Sequence, residues 1–342
     1  MGAVIALNST EKLVLNQLSS NSRLPFSQIG FKINKSQQLV SSTVKSLMDK
    51  KIINNYYTFI DYSKLGVLNF RVYFKLSYVD KNRMKTFIDY LVNLSEVSWL
   101  ITCGEKYDLI CSFYASNPSQ FNKNLKQIVI KFSRLIKDYS LVTTIVMRIF
   151  NYKISNNINT DSKGIILGGD REEIILKNVD LSILNLISEN ARINLVDMGN
   201  KLNLTPKTII SHIKKLETKK IICGYTTQIN IKQLNENTIL LIIKYHTSFV
   251  KLEKKFIDFL IIKPEVTGII KVLGEWDLEI TLNIKNRDQF RNLELEIKEK
   301  FTHLIHDIQN IRIYEEKKMN FFPKYILEKY NMKTIKNKKT KH

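Results

Sequence analysis

Shifted by 169 positions without a gap, the first 66 residues of this chain fall onto a segment near its middle. Asn16, Asn21 and Arg23 meet Asn185, Asn190 and Arg192, and Lys50-Lys51-Ile52-Ile53 meets Lys219-Lys220-Ile221-Ile222. Tyr56, Thr58 and Leu65 then meet Tyr225, Thr227 and Leu234. Further on, Gly104-Glu105-Lys106-Tyr107-Asp108-Leu109 answers Gly274-Glu275-Trp276-Asp277-Leu278, with Lys106 read as an extra residue in the first turn. Solenoid units run roughly 20–50 residues, so a period this long describes a duplicated two-domain protein. Each copy can be read against the other.

Within a copy, the first module is three helices. In copy two, Leu181, Leu184 and Ile187 recur at helical spacing behind Asp180, an N-cap candidate. A short apolar pattern through Val196, Met198, Gly199 and Leu202 follows. Thr205-Pro206 then opens a third helix, with proline where its missing N–H costs nothing. Ile209, Ile213 and Leu216 face inward, and Ile221 to Ile229 alternates as a short hairpin would. The result is a winged helix-turn-helix. Copy one repeats it with Ser36 as the cap and Val40, Val44 and Leu47 inward.

The outward face of such a third helix is what enters a major groove, through its N-terminal half. Copy one offers Gln37, Gln38, Ser41, Ser42 and Lys45 there. Copy two offers Lys207, Thr208, Ser211, His212 and Lys215, with Lys214 beside them. Glutamine can bind adenine edges, and serine or threonine can meet bases or phosphate. A solvated helix face carries the same residue types, so this pattern permits double-stranded DNA as partner without demanding it. The net charge of +21 is equally permissive. It is spread over the chain, with +5 and +4 on the winged helices against +7 and +6 on the second modules.

The second modules read βαββαβ, a ferredoxin-like sandwich. In copy one the pieces are strand Phe70–Tyr78, a helix through Phe87 and Leu91, strands Val97–Thr102 and Tyr107–Tyr114, a helix from Asn117-Pro118, and strand Leu141–Tyr152. Copy two repeats them as Thr238–Tyr245, Leu252–Leu260, Val266–Leu273, Asp277–Ile284, Phe290–Phe301 and Ile308–Tyr314. Helices cover one face of such a sheet, so the other needs a cover, and a second sheet supplies it by dimerisation. The expected fold class is therefore α+β, with two copies of a winged helix followed by a sandwich. The boundaries are winged helix 1–66, sandwich 67–153, linker 154–178, winged helix 179–234, sandwich 235–325 and basic tail 326–342.

In this order, these motifs resemble the leucine-responsive/asparagine (Lrp/AsnC) regulator family. The resemblance rests on Asp180 to Asn190-Ala191-Arg192, Leu204-Thr205-Pro206, Ile213-Lys214-Lys215-Leu216-Glu217, Ile221-Ile222-Cys223-Gly224-Tyr225 and the Gly274–Leu278 turn. It implies a sequence-specific DNA-binding transcription regulator whose sandwiches dimerise and often bind an amino acid. By the same resemblance the effector lies near the Gly-x-x-Asp turns, at Gly104, Asp108, Gly274 and Asp277. For the glycines a plain hairpin turn with positive φ is the preferred reading, and for the aspartates a solvated strand edge is an equal one. Family members commonly carry arginines on the third helix, where this chain has Ser42-Thr43 and Ser211-His212, so its DNA preference should differ.

A linker of 25 residues, about 25–30 Å on average when flexible, lets the two sandwiches pair within one chain. Two unlike winged helices then read an asymmetric site. A homodimer of whole chains, with four winged helices, is the alternative. Further homo-oligomerisation is expected either way.

Other features exclude more than they add. Cys103, Cys111 and Cys223 match no zinc spacing and read as buried reduced thiols of a cytoplasmic protein. Met1–Leu7 lacks a signal-peptide pattern, and no apolar run is long enough to span a membrane. Gly164–Asp170 lacks the Gly-Lys-Ser/Thr ending of a phosphate loop and reads as a linker turn. His303 and His306 lie one turn apart without an evident third ligand, so no metal and no cofactor are expected. The enzyme rival is a siroheme decarboxylase, a resemblance from the same architecture that works as two unlike subunits. Residues 1–153 contain no histidine, against that group's reliance on histidine and basic side chains. A third reading is a sensor or assembly protein whose winged helices have lost DNA binding.

Overall fold

The structure, a computed structural model, describes residues 6–77, 80–152 and 164–328. Tyr78, the linker stretch 154–163, most of Met1–Leu7 and the basic tail from 329 on lie outside the described residues. In copy one the elements are α1 (Ser9–Ser20), α2 (Phe26–Ile33), α3 (Gln37–Asp49), β1 (Ile53–Ile60), β2 (Leu68–Leu76), α4 (Lys81–Asn93), β3 (Val97–Cys103), β4 (Leu109–Ala115), α5 (Pro118–Lys131) and β5 (Ile136–Ile149). A short β6 (Ile165–Gly168) precedes copy two. There follow α6 (Asn178–Glu189), α7 (Leu195–Leu202), α8 (Pro206–Thr218), β7 (Ile222–Ile229), β8 (Asn237–Tyr245), α9 (Glu253–Ile261), β9 (Val266–Gly274), β10 (Leu278–Ile284), α10 (Arg287–Phe301) and β11 (Ile305–Met319).

The repeat of 169 extends to backbone conformation. Positive φ recurs at Asn34 and Asn203, at Lys51 and Lys220, at Gly66 and Asn235, and at Glu105 and Gly274. Each pair ends a helix or turns a corner at the same place in its copy.

Contacts divide the chain into two compact units, and neither unit is one copy. The first holds residues 1–57, 145–166 and 224–314, so α1–α3 of copy one go with the sandwich of copy two. The second holds 58–144, 167–223 and 315–342, so α6–α8 go with the sandwich of copy one.

In the first unit the sheet runs β9-β10-β8-β11, all antiparallel. The end of β5 lies along the outer edge of β9, where the Phe150 N–H donates to the Thr267 carbonyl at 2.9 Å. Leu241, Ile243, Ile280, Leu282, Phe256 and Ile297 fill the core between sheet and helices. In the second unit the sheet runs β3-β4-β2-β5, again antiparallel. The end of β11 lies along β3. Phe70, Val72, Phe74, Phe87, Leu109 and Phe121 make its core. Both sheets have the ferredoxin-like order that the strand pattern predicts.

Two expectations are corrected here. The wing is not a hairpin inside each module. Each copy contributes one strand, and β1 and β7 pair with each other. In the first unit β7 also serves the end of α1: the Ser22 N–H donates to the Tyr225 carbonyl, and Thr226 and Thr227 hydroxyls donate to the Ser19 and Leu18 carbonyls. In the second, the Thr58 hydroxyl donates to the Ile187 carbonyl at 2.6 Å, the same bond one repeat away.

The second correction concerns the linker, whose described part is built into the fold. Leu167 and Leu176 are buried, Ile165–Gly168 is a strand beside β5, and the Ile174 N–H donates to the Lys64 carbonyl at 2.7 Å. The Gly168 N–H donates to the Asp61 carboxylate at 3.0 Å, so this glycine-containing stretch meets an anion of the protein itself.

Candidate nucleic-acid interface

Each recognition helix is placed by a turn with little freedom. After α2 and α7 the chain turns through left-handed Asn34 and Asn203, and the Lys35 and Leu204 N–H groups donate back to the Gly30 and Gly199 carbonyls. A Cβ on Gly30 would lie 2.5 Å from the Lys35 carbonyl oxygen, and one on Gly199 2.6 Å from that of Leu204. Both positions therefore need glycine for close backbone approach. The helices then start as the sequence predicts. Ser36 caps α3 by accepting the Leu39 N–H, and Thr205 caps α8 by accepting the Thr208 N–H, each at 3.2 Å.

The inward residues Val40, Val44, Leu47, Ile209, Ile213 and Leu216 are all buried. Outward, Gln37, Gln38, Ser41, Ser42 and Lys45 stand exposed on α3, as do Lys207, Ser211, Lys214 and Lys215 on α8. Thr208 is half-buried and shares a hydroxyl contact with Thr205 at 2.9 Å. His212 is a correction. Its Nδ1 lies 2.7 Å from Asp180 Oδ1, with the carboxylate buried, so the ring faces α6 and not a groove.

The reason for the His212 contact is one methylene. Asp180 is no N-cap; it sits in the first turn of α6, behind Lys177. Its counterpart in copy one is Glu11, long enough to meet the Lys50 ammonium at 2.6 Å while accepting the Asn8 N–H. Burial works to raise the Glu11 carboxyl, and the Lys50 and Asn8 hydrogen bonds together outweigh it, holding the group below its ordinary range. In copy two the shorter aspartate is partnered from α8 by His212, at the place of Thr43.

Two further outward side chains are apolar. Leu39 is 42% exposed and Ile210 39% exposed, both in the N-terminal half of a recognition helix. The sequence carries a signal for them, because both fall outside the inward stripe of their helix, but a search for polar and basic side chains passes over them.

At the sandwich turns the two aspartates do the same structural job. Asp108 Oδ2 accepts the Leu76 N–H and Asp277 Oδ2 the Tyr245 N–H, each at 2.8 Å. Lys75 and Lys244 stand at 3.5 and 3.4 Å. The loops are equal in length, since Cys103 bonds across to Asp108 as Val272 does to Asp277. Lys106 is therefore no insertion; the glycines sit one position apart. Positive φ falls on Glu105 in copy one and on Gly274 in copy two, so Gly104 is not the turn residue. In both loops a buried aromatic, Tyr107 or Trp276, fills the turn.

Cys103 and Cys111 are buried and Cys223 is partly exposed. Burial pushes the Cys103 thiol up to about 12 and the Cys223 thiol up to about 11. His306 packs against His246, ring centroids 4.9 Å apart, and His303 against Phe249. Among the described residues no three His, Cys, Asp or Glu side chains are grouped to hold a metal, and no helix is long and apolar enough to cross a membrane.

Comparison with known proteins places this geometry. A family model described as winged helix-turn-helix DNA-binding matches residues 176–222, which contain α6 to α8. An HTH-type transcriptional regulator of Pyrococcus furiosus is 29% identical over 114 residues, 33% of this chain and 75% of that protein. The leucine-responsive regulatory protein of Haemophilus influenzae is 28% identical over 67 residues, 20% of this chain and 40% of that protein. Over the whole length, the siroheme decarboxylase NirDL, solved with an iron-uroporphyrin III analogue, superposes with a TM-score of 0.62. It is 11% identical, over 96% of this chain and 99% of that one, a likeness of fold.

Proposed function

We propose that the chain is a tandemly duplicated member of the Lrp/AsnC regulators, a DNA-binding transcription regulator, and that α3 and α8 are its two DNA-reading helices. The observation that carries the assignment is their common exposure. Each buries a complete apolar stripe while leaving polar and basic side chains of its N-terminal half in the open. Lys45, Lys207, Lys214 and Lys215 supply phosphate contacts in this reading, and Gln37, Gln38, Ser41, Ser42, Thr208 and Ser211 face base edges. His212 positions α8 from behind.

The two sandwiches associate within one chain in this proposal, so that unlike helices read an asymmetric site. Support comes from β5 and β11, each of which begins in one compact unit and ends in the other. The effector is a small molecule, an amino acid by family. It sits against the turns at Gly104–Asp108 and Gly274–Asp277, where the aspartates hold the loop and the ligand meets the surrounding backbone. The protein works in the cytoplasm without catalysing a reaction, and further self-association builds on the single chain.

Selection of sheared genomic DNA by the purified chain at about 150 mM salt tests the proposal. Enrichment of a few sites with two unlike half-sites is expected. Neutralising Lys45, Lys207, Lys214 and Lys215 together should weaken binding and flatten its salt dependence, by roughly one unit of slope for each phosphate that is no longer neutralised. An unchanged slope would remove α3 and α8 from the interface. Uniform recovery of DNA together with tetrapyrrole absorbance in the purified protein would favour the decarboxylase reading.

A further inference from the structure

The duplication provides an internal control for the recognition helices, because each position of α8 has a counterpart 169 residues earlier in α3. Five of the thirteen pairs keep their character. Val40 and Ile209, Val44 and Ile213, and Leu47 and Leu216 are buried in both copies. Ser42 and Ser211, then Lys45 and Lys214, repeat the same residue type in the open. The outward pairs that exchange polar and apolar side chains are Leu39 with Thr208, Met48 with Glu217, and Ser41 with Ile210, and Ile210, 39% exposed, is the one large exposed apolar side chain of α8.

Helix propensity does not call for that isoleucine, and the inward stripe is complete without it. A β-branched side chain lowers helix propensity slightly, and Ile209 and Ile213 already fill the inward face of α8. Ile210 lies in the first half of the helix, the part that meets base edges in this motif. The residues before it differ as well: α3 begins Gln37-Gln38 where α8 has Pro206-Lys207.

Resting on the reading that these helices enter major grooves, we propose that Ser41 and Ile210 are a specificity-determining pair that helps make the two half-sites unlike. Ile210 packs against the C5-methyl of a thymine, the one apolar group on the major-groove edges. Against cytosine it would cover an exocyclic amine without offering it an acceptor. Ser41 at the same place hydrogen-bonds instead, and the neighbouring Gln38 amide matches the N6 and N7 of adenine. Lys207, three positions before Ile210, holds the adjacent phosphate. The second half-site therefore carries a thymine requirement at the Ile210 contact that Ser41 does not impose at the corresponding place in the first.

Selection from a random-sequence DNA library tests this, using the full chain as wild type, I210S, I210V, S41I and the double exchange. The wild type should recover two unlike half-sites, one with about a fourfold thymine preference, the worth of one methyl group taken out of water. I210S should lose that preference while the other half-site is unchanged, and I210V should keep it. S41I should create a thymine preference in the first half-site, and the double exchange should move that preference from the second half-site to the first. Recovery of the wild-type motif by I210S, with its circular dichroism unchanged, would overturn the proposal. If the wild type selects no sequence at all, the failure belongs to the regulator reading itself, and the pairing of Ser41 with Ile210 falls with it.

Discussion

At the foot of each sandwich hairpin a carboxylate accepts the backbone N–H of the neighbouring strand, Asp108 from Leu76 and Asp277 from Tyr245. Removing either leaves that N–H without its partner at a partly buried strand end, a loss of about 1–3 kcal/mol. Asp108→Ala and Asp277→Ala should each lower the urea midpoint, and Asp108→Asn should recover part of the loss through its remaining oxygen. An unchanged midpoint in both alanine variants would return these residues to the effector site. The sequence shows that Asp108 and Asp277 correspond but not what they bond to, because the N–H each accepts belongs to another strand, 32 residues earlier in the chain. The same holds for His212. Its outward appearance on a helical wheel survives until Asp180 is found 2.7 Å from its ring.

Helix starts and inward stripes are readable at the scale of elements, since caps and apolar periodicity are local. The partner of a strand is not local. Alternation over Ile221–Ile229 suits a hairpin arm and a strand lent to another copy equally well, and β1 and β7 take the second course. The end of β11 illustrates a related consequence. Beyond the part paired with β8, Lys318 reaches the carbonyls of Val92 and Leu94 at 2.7 Å, at the C-terminal end of α4. There its charge suits the helix dipole, but burial lowers its ammonium from the ordinary 10.5 to about 8. Below about pH 8 the group is charged in folded and unfolded chains alike, and the folded state bears the full cost of burying it. From about 8 to 10.5 the folded chain releases the proton while the unfolded chain keeps it, so stability from this group rises with pH. The stability of the wild type relative to Lys318→Met should therefore increase over that window in denaturant titrations. A difference independent of pH would mean that Lys318 is not buried as charged.

For the whole molecule, the composition of the two units makes a direct prediction. Each unit takes its three-helix module from one copy and its sandwich from the other. Residues 1–163 and 164–342 expressed separately should fail to give stable monomers, because each half lacks the strand that completes its wing and the strand that covers its sheet edge. Co-expressed, the halves should purify together and elute as one species by size exclusion. A folded, monomeric half would show that the exchange between copies is dispensable. The sequence by itself determined the duplication, the kinds of element and their order, because repeat spacing, caps and apolar period act over short stretches. It also exposed the outward residues of α3 and α8, Thr208 and His212 excepted. Only the tertiary structure decided which copy completes which unit. That choice is between equal local patterns: one alternating strand can pair within its copy or across copies with the same hydrogen bonds, and only the long-range contacts of the folded chain distinguish the two.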